Sequence, residues 1–156
     1  MTVRAIVVEQ SGGPEVLVQR EVAEPAIDSH EVLVETAAAG VNFIEIYQRS
    51  GVYPMPLPFT PGSEAAGTVI AVGAGVLGIE PGDRVATAAG RGSYAERFAA
   101  PAGEVARVPD GIDFETAAAL PLQGCTAHYL ATSAARPQPG DTVLVHAGAG
   151  GVGLLL

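Results

Sequence analysis

Cysteine is almost absent: among 156 residues the only one is Cys125. A lone thiol cannot close an intramolecular disulfide or build a cysteine-rich metal site. Such sparing use suits a reducing cytosol. Basic residues are scarce too. Eight Lys and Arg stand against seventeen Asp and Glu, giving a net charge of −9. Binding through nucleic-acid phosphates needs an excess of cations, so DNA and RNA are not expected partners. The acidic residues are dispersed and form no acidic tail. No apolar run approaches the ~20 residues of a membrane span. The opening M-T-V-R-A-I-V-V-E-Q has neither the long apolar core nor the cleavage site of a secretory signal. These absences predict a soluble cytoplasmic protein without membrane contact. What is present argues against disorder: 48% hydrophobic and 16% charged residues, in a chain long enough for a real core.

Read in order, the first hundred residues alternate short β-type runs with turns. Val3–Val8 and Val16–Val22 flank Ser11-Gly12-Gly13-Pro14, as in a hairpin. Glu31–Thr36 alternates as a half-buried strand does. Asn42 is a good N-cap, and Glu45 three residues on completes a capping-box pattern. Phe43, Ile46 and Tyr47 then fall on one helical face, and Gly51 is placed to end that helix. The prolines of Tyr53–Pro61 force an extended path. Thr68–Val72, Val85–Ala88, Ser93–Ala99 and Val105–Val108 read as further strands. Many short strands with close turns predict a partly open β-barrel. After Gly111 the pattern becomes helical. Asp113 can cap a helix over Phe114–Leu120, Pro121 interrupts, and Leu122–Ala134 resumes.

The chain's last stretch is D-T-V-L-V-H-A-G-A-G-G-V-G-L-L-L. Thr142–His146 reads as a parallel strand buried on both faces. Gly148, Gly150 and Gly153 follow as G-x-G-x-x-G, and Val152 with Leu154–Leu156 reads as the first turn of a helix. Strand, glycine turn and helix start make the front edge of a dinucleotide-binding unit. With 20 glycines in the chain, the spacing alone is unspecific. The acidic ribose partner expected about 20 residues further on lies outside the sequence.

Seven colinear motifs resemble one family. They are G-G-P-E-V-L (12–17), A-A-G-V-N-F-I-E-I-Y (38–47), R-S-G-V-Y-P (49–54), P-F-T-P-G-S-E-A-A-G (58–67), G-D-R-V (82–85), A-A-A-L-P-L-Q-G-C-T-A (117–127) and G-D-T-V-L-V-H-A-G-A-G-G-V-G (140–153). The chain resembles the zinc-free, zeta-crystallin-like quinone oxidoreductases of the medium-chain dehydrogenase/reductase superfamily. The resemblance implies a mainly β fold with helices: a GroES-like barrel over residues 1–120, lacking its C-terminal return. A connecting helix and linker over 121–140 would follow, then the first strand and glycine turn of a doubly wound Rossmann domain over 141–156. It implies hydride transfer from NADPH to a quinone or enone, with this sequence an N-terminal fragment inactive alone. The Val143–Leu156 edge, a strand without sheet partners, predicts a homo-oligomer or a disordered tail. An enoyl reductase of the same superfamily, or a non-catalytic truncated module that self-associates, are the alternatives.

The resemblance also implies roles for single residues. Asn42 would serve the nicotinamide ribose or amide as well as capping its helix. Tyr47 would line the cleft by the nicotinamide, against the plainer role of a core aromatic. Tyr53 would close over a quinone ring or pack its own loop, and either tyrosine could hydrogen-bond a developing oxyanion. Thr126 would sit beside the nicotinamide carboxamide, or bond its own helix backbone. Gly150, Gly151, Val152 and Gly153 would hold the pyrophosphate. Glu64 is expected to be partly buried with an Arg partner, His146 to pack, His30 to be solvated and His128 to be structural. No zinc is expected. Zinc-dependent relatives carry a Cys within 38–42, a His at position 63 and a four-cysteine lobe near 90–103. Here the first is missing, Ser63 replaces the His, and the lobe has no cysteine. A catalytic zinc needs three such ligands.

Overall fold

The computed structural model describes every residue from Met1 to Leu156. Strands β1 (Thr2–Val8) and β2 (Leu17–Ala23) form the expected antiparallel hairpin, joined through a 3-10 turn at Pro14–Val16. The second sheet holds β3 (Glu31–Ala39), β4 (Ala65–Val72), β5 (Arg84–Thr87), β6 (Arg97–Pro101) and β7 (Val105–Arg107). Its order is β6-β3-β4-β5-β7, antiparallel throughout. Register shifts between β3 and β4 mark bulges, which bend a strand and tighten its twist. The hairpin bonds to the chain entering β6: Ile6 N–H donates to Tyr94 O at 2.8 Å and Glu96 N–H to Arg4 O at 2.9 Å. The result is the curled half-barrel of a GroES-like fold.

The core follows from alternation. Val32, Val34, Ala65, Val69, Val85, Phe98 and Ala100 point to one face and pack together, fully buried or nearly so. Their neighbours Ala66 and Ala86 point the other way, onto Ala117 and Ala118 of the short helix α2 (Phe114–Ala118). The loop before α2 is fixed by Arg84, whose guanidinium lies 4.5 Å from the Phe114 ring centroid and donates to the carbonyl of Ile112. Asp113 caps α2, accepting from Thr116 N–H at 2.6 Å as its position predicts. Helix α1 (Phe43–Ser50) also starts and stops where expected, with Gly51 left-handed at φ 83°. Its apolar stripe is not covered, however. Phe43 is 74% exposed, and the residue α1 buries is Glu45.

Three expectations fail. Ser93–Ala99 is not one strand: Tyr94–Glu96 is taken up by the hairpin, and β6 starts at Arg97. The helix after Pro121 does not run regularly to Ala134. Helix α3 (Pro121–Tyr129) passes into a π-type turn over Leu130–Ala134. Thr142–His146 is not a strand and His146 does not pack. The segment has no strand to bond and is exposed, with Leu144 80% accessible. A strand buried on both faces exists only through its neighbours, and this segment has none. The helix start after the glycines is a single 3-10 turn, Gly153–Leu155.

Candidate functional site

Asn42 stands between the end of β3 and the start of α1. Its backbone N–H donates to Glu45 Oε2 at 2.8 Å, the return half of the capping-box pattern. Asn42 Nδ2 donates to Glu64 Oε2 at 2.9 Å. Glu64 is the main correction to the sequence reading. It is fully buried, at 0% exposure, and no Arg pairs with it. Its other oxygen accepts the Leu122 N–H at 2.8 Å. The reason lies in how α3 begins. Leu120 precedes the helix and has no capping side chain. Pro121 brings no N–H. Leu122 therefore carries the first free donor of α3, and a carboxylate from the foot of β4 satisfies it.

A second buried carboxylate lies close by. Glu45 is 5% exposed and its Oε1 accepts from Ser63 Oγ at 3.4 Å. The Tyr94 hydroxyl is buried without a partner. Its pKa is pushed up to about 12, first by burial and then by the charges of Glu45 and Glu64. Gly40 leaves room for this cluster. A Cβ there would lie 2.3 Å from Glu64 Oε2 and 2.8 Å from the Ala118 carbonyl.

Thr126 lies on α3, with its hydroxyl donating to Leu122 O at 2.6 Å. This is the backbone bond that the sequence left open. The hydroxyl oxygen keeps its lone pairs for a second partner. Thr126 lines an apolar cavity of about 1020 Å³ between β5, β7 and α3, together with Leu122, Cys125 and Tyr129. A smaller cavity of about 330 Å³ lies where Gly40, Glu64 and Ala118 meet Gln123 of α3. Gln123 went unread in the sequence, although it lies in the motif that carries Thr126. It meets the glycine turn: a Cβ on Gly151 would fall 1.9 Å from Gln123 Oε1.

The structure thus joins Asn42 and Thr126 through Glu64 and Leu122, and seats the glycine turn on α3. Tyr47 and Tyr53 form a separate pair, with ring centroids 5.3 Å apart and planes tilted 56°. Both are part-exposed, and neither lines the two cavities. His30 and His128 are exposed. No three His, Cys, Asp or Glu side chains converge as a metal site. No helix is long and apolar enough to cross a membrane.

Residues 28–110 match the family described as Alcohol dehydrogenase GroES-like domain. The chain belongs to this family. Within it, this GroES-like chain is 48% identical over 145 residues to a Quinone oxidoreductase of Pseudomonas aeruginosa, covering 92% of this chain and 45% of that protein. It is 42% identical over 155 residues to the Quinone oxidoreductase of Homo sapiens, covering 97% of this chain and 47% of that one. Among solved structures, a mycobacterial protein complexed with NADPH superposes with a TM-score of 0.94 at 51% identity, over 98% of this chain and 48% of that one. The Escherichia coli quinone oxidoreductase complexed with NADPH gives 0.85 at 42% identity, over 98% and 47%. The chain spans about half the length of the curated relatives it matches.

Proposed function

We propose that this chain is the barrel side of an NADPH-dependent, zinc-independent quinone oxidoreductase, inactive on its own. The observation that carries the reading is helix α3. It presents Thr126 to the large cavity, receives the glycine turn on Gln123, and is tied to Asn42 through Glu64. Residues for the nicotinamide end and for the central pyrophosphate of a dinucleotide thereby meet at one element. The glycine turn fits a pyrophosphate. Gly153 has no space for a side chain against the backbone of Ala147 and Gly148, and a Cβ on Gly151 would displace the Gln123 amide. The N–H groups of Gly151, Val152 and Gly153 donate to no carbonyl within the chain. Free N–H groups at such a turn attract phosphate oxygens.

When bound, NADPH supplies the hydride. The chain's residues bind and orient. Asn42 and Thr126 hold the nicotinamide end, and the backbone of Gly150–Gly153 holds the pyrophosphate. Tyr47 and Tyr53 flank the acceptor, where a phenol can donate to the oxygen that gains charge. Quinones accept that charge without a strong Lewis acid, and position 63 is Ser where a zinc ligand would stand. Inactivity alone follows from the exposed segment 141–150, which offers the cofactor no supporting sheet. Exposed Val143, Leu144 and Leu154 favour self-association. A clean monomer by light scattering refutes that part.

The test grafts residues 1–156 onto the unmatched remainder of the Pseudomonas aeruginosa relative. Reduction of p-benzoquinone by NADPH, unaffected by a chelator, is expected. Reduction of an enoyl thioester in preference to quinones would assign an enoyl reductase instead.

A further inference from the structure

We propose that Glu64 is the positioning residue that sets the nicotinamide-side site, holding Asn42 and Thr126 in one fixed arrangement. The inference rests on the NADPH reading above and deepens it. The physical basis is a continuous hydrogen-bonded chain. Asn42 Nδ2 donates to Glu64 Oε2, Leu122 N–H donates to Glu64 Oε1, and Thr126 Oγ1 donates to Leu122 O. Both backbone groups of Leu122, its N–H and its C=O, and both oxygens of Glu64 are used. Nothing else caps α3 by side chain, so this carboxylate is the side-chain hydrogen-bond link between the start of α3 and the N-cap of α1. The backbone of Glu64 is held as well: its carbonyl accepts from Gly40 N–H at 2.8 Å and from Ser93 Oγ at 3.2 Å. The carboxylate therefore extends from a fixed point on the barrel.

The chain also sets polarity. Both Glu64 oxygens accept, and the Asn42 amide turns its NH2 toward them. Thr126 spends its proton on Leu122 O, so toward a ligand it can only accept. The N–H of a primary carboxamide is the donor that fits it. Glu64 thus stands behind both residues, and a neutral residue in its place would free the Asn42 amide to reorient and loosen the Leu122 turn on which Thr126 rests.

The test compares Glu64→Gln and Glu64→Ala with the parent chain by amide NMR, with spectral dispersion reporting that each is folded. Gln offers one acceptor oxygen to two donors, so one of the two bonds must break even if the alanine variant fails to fold. In Glu64→Gln we expect the Asn42 side-chain NH2 or the Leu122 N–H to shift upfield. Leu122 exchange with solvent should rise roughly tenfold or more, and the Thr126 signals should move as well. Unchanged Asn42, Leu122 and Thr126 signals in a folded Glu64→Gln chain would overturn the proposal. A second arm adds millimolar NADPH to the grafted enzyme, which supplies the sheet that segment 141–150 lacks. With Glu64 in place it should perturb Asn42 and Thr126 together, and in Glu64→Gln at most one of them. If NADPH perturbs neither in the graft with Glu64, the cofactor reading fails, while the first arm still decides the link. Joint perturbation persisting in Glu64→Gln would sink the positioning role alone.

Discussion

Replacing Gly40 by alanine adds one methyl group, and the structure states what that group meets. The backbone at Gly40 is not left-handed, so alanine costs no dihedral strain there. The added Cβ would lie 2.3 Å from Glu64 Oε2 and 2.8 Å from both Glu64 Cδ and the Ala118 carbonyl. The carbonyl belongs to α2, whose Ala117 and Ala118 are packed on the sheet, so it is the stiffer neighbour. The carboxylate must yield, and it cannot move about 1 Å without losing Asn42 at 2.9 Å or Leu122 at 2.8 Å. Overpacking costs about 1–3 kcal/mol. Losing one bond to a charged group costs about 1.5–3 kcal/mol. A gain of about 0.4–1 kcal/mol from a stiffer unfolded chain offsets part of this. The net expectation is a loss of about 2–5 kcal/mol. Urea unfolding followed by circular dichroism measures it, with the midpoint falling by about 1 M or more at an unchanged slope. The double variant Gly40→Ala/Glu64→Ala should lose less than the sum of the singles, because the methyl then fills vacated space. A midpoint shift below about 0.3 M, or strict additivity, would refute the crowding argument.

Phe98 is fully buried at the centre of the larger core cluster, so Phe98→Ala should cost about 3–5 kcal/mol in the same assay. The Tyr94 hydroxyl makes no hydrogen bond and ionises only near pH 12. Its folded pKa lies above the unfolded value, so its contribution is complete below pH 10 and is lost as pH rises from 10 through about 12. Tyr94→Phe should therefore leave stability unchanged or higher at neutral pH and flatten the alkaline limb of the unfolding profile. Glu96 has the opposite sign. The Arg4 N–H, and then the Arg4 guanidinium, hold its carboxyl below the usual value. That stability is present above the ordinary carboxylate pKa and is lost as pH falls through the folded one. Arg4→Ala keeps the backbone donor and should make the acid limb only slightly shallower in a pH titration of the thermal midpoint, whereas Glu96→Gln should remove the contribution entirely.

What the sequence made legible was whatever is encoded locally. The capping pair Asn42 and Glu45, the left-handed stop at Gly51, the Asp113 cap and the hairpin each depend on residues a few places apart, and each is found as read. The barrel class followed from turn spacing. Elements set by distant partners were misread. Thr142–His146 has strand composition but no neighbouring strand to bond. Ser93–Ala99 alternates as a strand does, yet half of it is claimed by the hairpin from the other end of the chain. At the site, Asn42 was legible because helix capping is local. The role of Glu64 was not. Its partners Asn42 and Leu122 lie 22 and 58 residues away, and Leu122 contributes a backbone group with no side-chain signature. Gln123 was overlooked for a related reason, since its contact is with a glycine.

In the proposed function, Asn42 and Thr126 hold the nicotinamide end of NADPH, and cofactor affinity measures that role directly. In the grafted enzyme, the KM for NADPH with p-benzoquinone as acceptor should rise roughly tenfold or more in Asn42→Ala and again in Thr126→Ala, as expected for lost hydrogen bonds to the cofactor. An active graft in which neither substitution moves the KM for NADPH or the turnover rate would contradict it.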